Sequence, residues 1–247
     1  MMLPVALILV GWQLVVWLSG VPSFILPGPI KVAGAFISNI GLIAEHGWVT
    51  LIEVVLGLLL GGALGVMTAL YLMISARANR LLMPVLVLSQ TVPVFALAPM
   101  LTLWLGYGLS SKIAMAVLII FFPVTSTFLD GLRNTPSGFL EMAQSMRATP
   151  LRSLFLVRVP AALPSLASGL RLAAVYAPIG AVIGEWVGAS QGLGYLMLLA
   201  NGRVKIDLMF AALIALCLIT VTLRWLINIA GRKIEHWSCP QSGSSAA

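Results

Sequence analysis

Charge is what this sequence has least of. Among 247 residues only seven are Asp or Glu, 14 are Lys or Arg and two are His, so charged side chains make up 9% of the chain, against roughly 25% in a soluble domain. A chain this poor in charge cannot clothe a water-facing surface. Cysteine is as scarce: Cys217 sits in an apolar run and Cys239 near the C-terminal end, which gives neither a disulfide framework nor metal-ligand spacing. His46 and His236 lie far apart, near the ends of apolar stretches, and supply no metal constellation or nucleophile and base pair for an intramembrane enzyme. A G-x-x-x-x-G-K-[ST] phosphate loop is missing, so the chain is not expected to hydrolyse ATP. The net charge of +7 comes without a basic run or aromatic and basic interleaving, which argues against nucleic acid as a partner.

What is abundant is hydrocarbon. Hydrophobic residues are 60% of the chain and the mean hydropathy is +1.07. Apolar runs of about 18 or more residues, enough to cross roughly 30 Å of lipid, recur along the whole sequence. The reading is an all-α, polytopic membrane protein of about six transmembrane helices, near residues 2–19, 49–74, 83–105, 112–129, 166–188 and 207–230. Residues 1–19 lack a basic start and a small-x-small cleavage site, so they read as a retained span rather than a secretory signal. Residues 1–48 therefore hold the first span and an external loop, in which Pro22, Pro27 and Pro29 precede a short interfacial helix. Residues 49–236 form the core, with a loop at 130–165, and 237–247 is a disordered Gly/Ser/Ala tail.

If both termini are cytoplasmic, ten of the 14 basic residues fall inside and Lys31, Lys112, Arg203 and Lys205 fall outside, the asymmetry of the positive-inside rule. In the second span Gly57, Gly61 and Gly65 form overlapping G-x-x-x-G pairs. Small residues four apart let helix backbones approach, here within the chain or, as the alternative, across a dimer seam. The third span carries Pro84, Pro93 and Pro99 with Ser89, Gln90 and Thr91, and the fifth carries Tyr176, Pro178 and Glu185. Backbone groups freed by proline need partners inside the protein or in a wet cavity, so both spans are expected to face the interior of the bundle. Gln90, Thr91, Tyr176 and Glu185 are the candidates for a translocation path, and Glu53 is a second carboxylate near bilayer depth.

The segment "EMAQSMRATPLRSLFLVRVPAALP", Glu141 to Pro164, interrupts the grease with charge and proline. Thr135-Pro136 and Thr149-Pro150 each set a capping hydroxyl before a proline, the usual opening of a helix. Two short cytoplasmic helices joined near Arg147 are predicted, the second carrying Leu151, Leu154, Phe155 and Val159 near one face. Such a segment can lie on lipid headgroups or dock a soluble partner, and the residues by themselves favour neither.

A resemblance separates the two. The segment resembles the E-A-A loop of the membrane subunits of ABC importers: E-A-A, three residues, Gly, nine residues, I-x-L-P. Glu141, Met142 and Ala143 stand for E-A-A, Arg147 stands at the Gly position, and Val157, Val159 and Pro160 follow in register. The spacing is kept and the Gly is not. "FILPGPIKV", "LTLWLGYGLSSKIAM", "FFPVTSTFLDGLRNTP" and "GEWVGASQGLGYLM" extend the likeness to the nitrate, sulfonate and taurine branch, and within it to permeases for hydroxymethylpyrimidine precursors of thiamine. The resemblance implies the type I importer permease fold, a bacterial cytoplasmic (inner) membrane location and a homodimer. It further implies two cytoplasmic ATPases that dock the coupling residues and bind the ATP and Mg, an external solute-binding protein, and no cofactor held by this chain. Sulfonate, taurine or nitrate are the alternative solutes. The competing class is an ATP-independent secondary transporter, for which the sequence shows no inverted repeat or proton-relay acids.

Overall fold

A computed structural model describes residues 2–238, and among these every regular element is a helix. Helix α1 (Met2–Ser19) leads through a proline turn to α2 (Pro29–Ser38), which opens with Pro29 in its first turn, where the missing N–H costs nothing. Then come α3 (Ile40–Ile74), α4 (Ala76–Ser89), α5 (Val94–Leu105) and α6 (Leu109–Arg133). Helix α7 (Ser137–Ser145) follows. After it α8 (Pro150–Ser153), a π-helical turn (Leu154–Arg158) and α9 (Val159–Trp186) join end to end, and α10 (Leu193–Gly202) and α11 (Ile206–Ser238) complete the chain. The serine- and glycine-rich tail and Cys239 lie outside the described residues.

The directions of the helices follow from which residues meet. Gly57 faces Ala116, Gly61 faces Val117 and Ile120, and Gly65 faces Phe121 and Val124. Both series ascend together, so α3 and α6 run parallel. A Cβ on Gly61 would lie 2.6 Å from Ile120 Cγ1, which shows that the glycine triplet is an intrachain seam packed to backbone contact. Gly169, Gly180 and Gly184 of α9 meet Val124, Ala116 and Lys112 in descending order, so α9 is antiparallel to α6. Leu223 clusters with Ala173, Ala174 and Ala177, while Gly231 sits against Ala167, so α11 is antiparallel to α9.

Parallel α3 and α6 require a return crossing between them, and α4 with α5 is the chain available for it. The two are bent by 99° at the break, within the proline-rich span expected at 83–105. The cause is Pro93: it lacks the N–H that would bond the Ser89 carbonyl, and it drives Val92 out of the helical region. The Ser89 and Thr91 hydroxyls donate to Leu86 O and Leu88 O at 2.7 Å each and so satisfy two of the carbonyls around the break. Four other helices are each long and apolar enough to cross: α3, α6, the rod from Pro150 to Trp186, and α11. Helix α1, 18 residues long, rises about 27 Å, close to the thickness of the hydrocarbon. It stacks Trp12 on Phe210 of α11 at 5.7 Å.

Two boundaries differ from expectation. Helix α3 begins nine residues earlier than 49, so the division placed between 48 and 49 falls inside it. His46, inside this added stretch of helix, is 8% exposed and bonded to the Gly192 amide. The last helix runs on to Ser238.

Candidate coupling site and translocation path

Between α6 and α9, on the side where α3 ends, the chain forms a compact elbow. Helix α7 stops at Arg147, whose φ of 53° is left-handed. The Arg147 N–H donates to Gln144 O at 2.8 Å and the Ala148 N–H to Ala143 O at 2.9 Å, the paired bonds that close a helix around a left-handed residue. The loss of glycine at this position therefore leaves the turn intact, with an arginine held in the glycine conformation. Thr149 then opens the next helix as expected, accepting from the Arg152 N–H at 3.3 Å with Pro150 behind it.

Two expectations for this segment are corrected. Thr135 caps nothing: it is buried and its hydroxyl donates to Leu132 O at 3.1 Å, ending α6, while Pro136 precedes α7. The second helix is not separate but the first turns of the rod that becomes α9. Pro160 and Pro164 remove two donors there, and the chain widens into a π turn at Leu154–Arg158, which relieves the ring clashes. The widening also splits the predicted apolar face: Leu154 is buried, whereas Leu151 and Phe155 are exposed.

The elbow encloses an apolar groove of about 480 Å³ between α7 and the start of the rod, lined by Phe139, Met142, Ala143, Met146, Val157 and Pro160 among others. Met142, Met146 and Leu156 are 62%, 73% and 74% exposed. Glu141 and Arg147 are exposed beside it, Val159 is half-buried, and Ala143 is buried where α7 meets the rod. An open groove edged by flexible methionines, with one acid and several arginines around it, suits capture of an amphipathic protein surface.

Residues 61–236 match the family described as binding-protein-dependent transport system inner membrane component. The chain belongs to that family. Among its relatives are a probable ABC transporter permease of Haemophilus influenzae, 52% identical and covering 92% of this chain and 93% of that protein, and the formylaminopyrimidine transport permease ThiX of Halalkalibacterium halodurans, 40% identical over 76% of each. The riboflavin transport system permease RibX of Chloroflexus aurantiacus is 39% identical over 95% of this chain and 89% of its own. The fold matches a chain of the MetNI methionine ABC transporter with a TM-score of 0.68 at 22% identity, over 82% of this chain and 98% of that one. The chain is thus an ABC importer permease of the type I fold, in the nitrate, sulfonate and taurine branch, and ATP hydrolysis belongs to a separate subunit.

The permease does not gather its path candidates at one point. Gln90 and Thr91 are exposed on the single chain, at the break between α4 and α5. Tyr176 and Glu185 are nine residues apart on α9, two and a half turns, which puts them on opposite faces; Tyr176 is 40% exposed and Glu185 1%. Glu185 is instead part of a buried polar cluster. It accepts from the Thr50 hydroxyl at 2.6 Å and from the Gly194 amide, and nearby Lys112 Nζ lies 3.3 Å from Glu53 Oε1. His46, Thr50 and Lys112 were not singled out as site residues. Lys112 and Glu53, charges of opposite sign in neighbouring spans, were the signal that a pair was there, since unpaired burial of either is costly.

Proposed function

We propose that two copies of this permease enclose the path of an ATP-driven importer, that the elbow from Ser137 to Pro160 docks into a cytoplasmic ATPase, and that an external binding protein delivers the solute. The observation that supports this reading is the left-handed Arg147 turn, which closes α7 at the position where the E-A-A pattern has glycine and this sequence does not. With the elbow inside, both described ends of the chain also lie inside: α11 finishes beside the start of α9, and α1 leads outward to α2. ATP-driven closure of the ATPase pair then draws the two elbows together and tilts the bundles.

The solute is a pyrimidine precursor of thiamine. The likeness to ThiX supports it, and the likeness to RibX supports a neutral heteroaromatic ring more broadly. Lys112, a cation buried among the spans, is held by Glu53 and is not available to a sulfonate. The test is thermal melting of the binding protein that co-purifies with this permease, with a formylaminopyrimidine, riboflavin, taurine and an alkanesulfonate. A shift with the pyrimidine is expected; a shift with taurine or the sulfonate and none with either ring compound overturns the assignment.

A further inference from the structure

Helix α10 is ten residues long, about 15 Å, too short to cross, and lies at the end of α9 remote from the elbow. The amide of its N-cap, Gly192, and those of its first two residues are all bonded by side chains from other elements. Gly192 N–H donates to His46 Nδ1 at 3.0 Å, Leu193 N–H to Thr50 Oγ1 at 2.8 Å, and Gly194 N–H to Glu185. Thr50 is the hub. Its single proton has two acceptors in reach, Glu185 Oε1 at 2.6 Å and His46 O at 3.3 Å, and the shorter bond takes it. Gly192 and Gly194 exist for this contact: a Cβ on either would fall within 2.7 Å of the Glu185 carboxylate, and Gly192 also needs its φ of 110°. Thr50 and Glu185 are 0% and 1% exposed, so the start of α10 is fixed in the protein interior to α3 and α9.

The other end of α10 is the opposite in character. Arg203, Val204 and Lys205 are all exposed, and Val204 is held left-handed at φ 57°. Bonds from Val204 N–H to Asn201 O at 3.0 Å and from Lys205 N–H to Ala200 O at 2.9 Å hold it there. A β-branched residue in that region is strained, and strain kept at a solvent-facing tip points to use of the tip rather than to packing. Here it turns two cations outward on the side away from the elbow.

We propose that the Arg203–Val204–Lys205 tip is a docking point for an acidic patch on the external binding protein, and that Thr50 is the positioning residue that ties this tip, through α10, to the transmembrane bundle. The proposal rests on the importer reading. It makes α10 a rigid strut: binding protein pressing on the tip acts on α3, which runs to the elbow side of the membrane.

The experiment uses the complete transporter in lipid nanodiscs, with ATP hydrolysis measured against binding-protein concentration and expressed as a ratio to the rate without it. Wild type must be stimulated; if it is not, the importer reading itself fails. Given stimulation, the double variant Arg203→Glu with Lys205→Glu raises the half-stimulating concentration by about tenfold or more, and the wild-type value rises with salt, as surface charge pairing requires. Thr50→Val speeds amide exchange at Gly192–Gly194 by about fivefold, the scale of a lost helix cap, and raises the half-stimulating concentration, while Thr50→Ser restores both. Should Thr50→Val not fold, His46→Ala, which frees only the Gly192 amide, gives the smaller version of the same two effects. Unchanged stimulation by the charge-reversed tip overturns the docking point. Faster exchange at unchanged stimulation overturns the strut.

Discussion

Replacing Arg147 by glycine relaxes the elbow and strengthens it. A non-glycine residue in the left-handed region carries roughly 1–2 kcal/mol of strain, and Arg147 sits there at φ 53°. Glycine removes that strain but gives the unfolded segment more freedom, which costs about 0.5–1 kcal/mol. The net gain is about 0.5–1 kcal/mol, a two- to fivefold change in the opening equilibrium of the turn. The readouts are the Arg147 and Ala148 amides, because their bonds to Gln144 O and Ala143 O exist only while the turn is closed. In Arg147→Gly, hydrogen exchange at the position 147 and 148 amides slows by about two- to fivefold, and in Arg147→Val, β-branched and without room for φ above zero, it quickens. Arg147→Ala separates the guanidinium from the backbone: it keeps the strain, so its exchange stays near wild type. Exchange that is equal or faster in Arg147→Gly refutes the reasoning, since the arginine would then be holding the turn through its side chain rather than being tolerated in it.

Three further outcomes follow from the packing. Lys112→Met leaves Glu53, 0% exposed, buried without its ion partner and destabilises the purified protein by about 3–5 kcal/mol, while adding Glu53→Gln recovers most of the loss; thermal challenge in detergent measures both. Gly61→Leu forces a side chain into Ile120 and the Val117 backbone and lowers the melting temperature by the equivalent of about 3 kcal/mol or more, whereas Gly34→Ala, with nothing within 4 Å of its added carbon, melts as wild type. Thr149→Ala removes the cap on Arg152 N–H and weakens the start of the rod by about 1 kcal/mol, read as faster exchange at residues 151–153 with the melting temperature nearly unchanged.

Much of this architecture is legible in the residues. Long apolar runs and the glycine spacing of α3 report their own environments, because a span needs length and a close helix seam needs small side chains, and both are local properties of sequence. The elbow was legible through its spacing and through Thr149-Pro150. What was not legible depended on partners distant in the chain. The second span was expected to start at 49, since nothing near His46 in the sequence shows that its ring will meet the Gly192 amide, 146 positions away. Thr135-Pro136 has the letters of a cap, yet α6 took the hydroxyl for its own last turn. Pro93 announced a disturbance, but whether a proline kinks a span or breaks it by 99° depends on what packs against it. Glu185 was noticed for its depth, while the glycines that make room for its carboxylate lie seven and nine residues further on.

The central claim is that the elbow between α6 and α9 is where a separate ATPase takes hold. Its most direct measurement is photo-crosslinking in intact membranes from a probe placed at position 142 or 146, at the mouth of the apolar groove, with position 24 in the loop before α2 as the control. The account predicts adducts to a soluble ATPase from 142 and 146 and none from 24. An ATPase adduct from 24, or its absence at both groove positions in membranes that import solute, contradicts it.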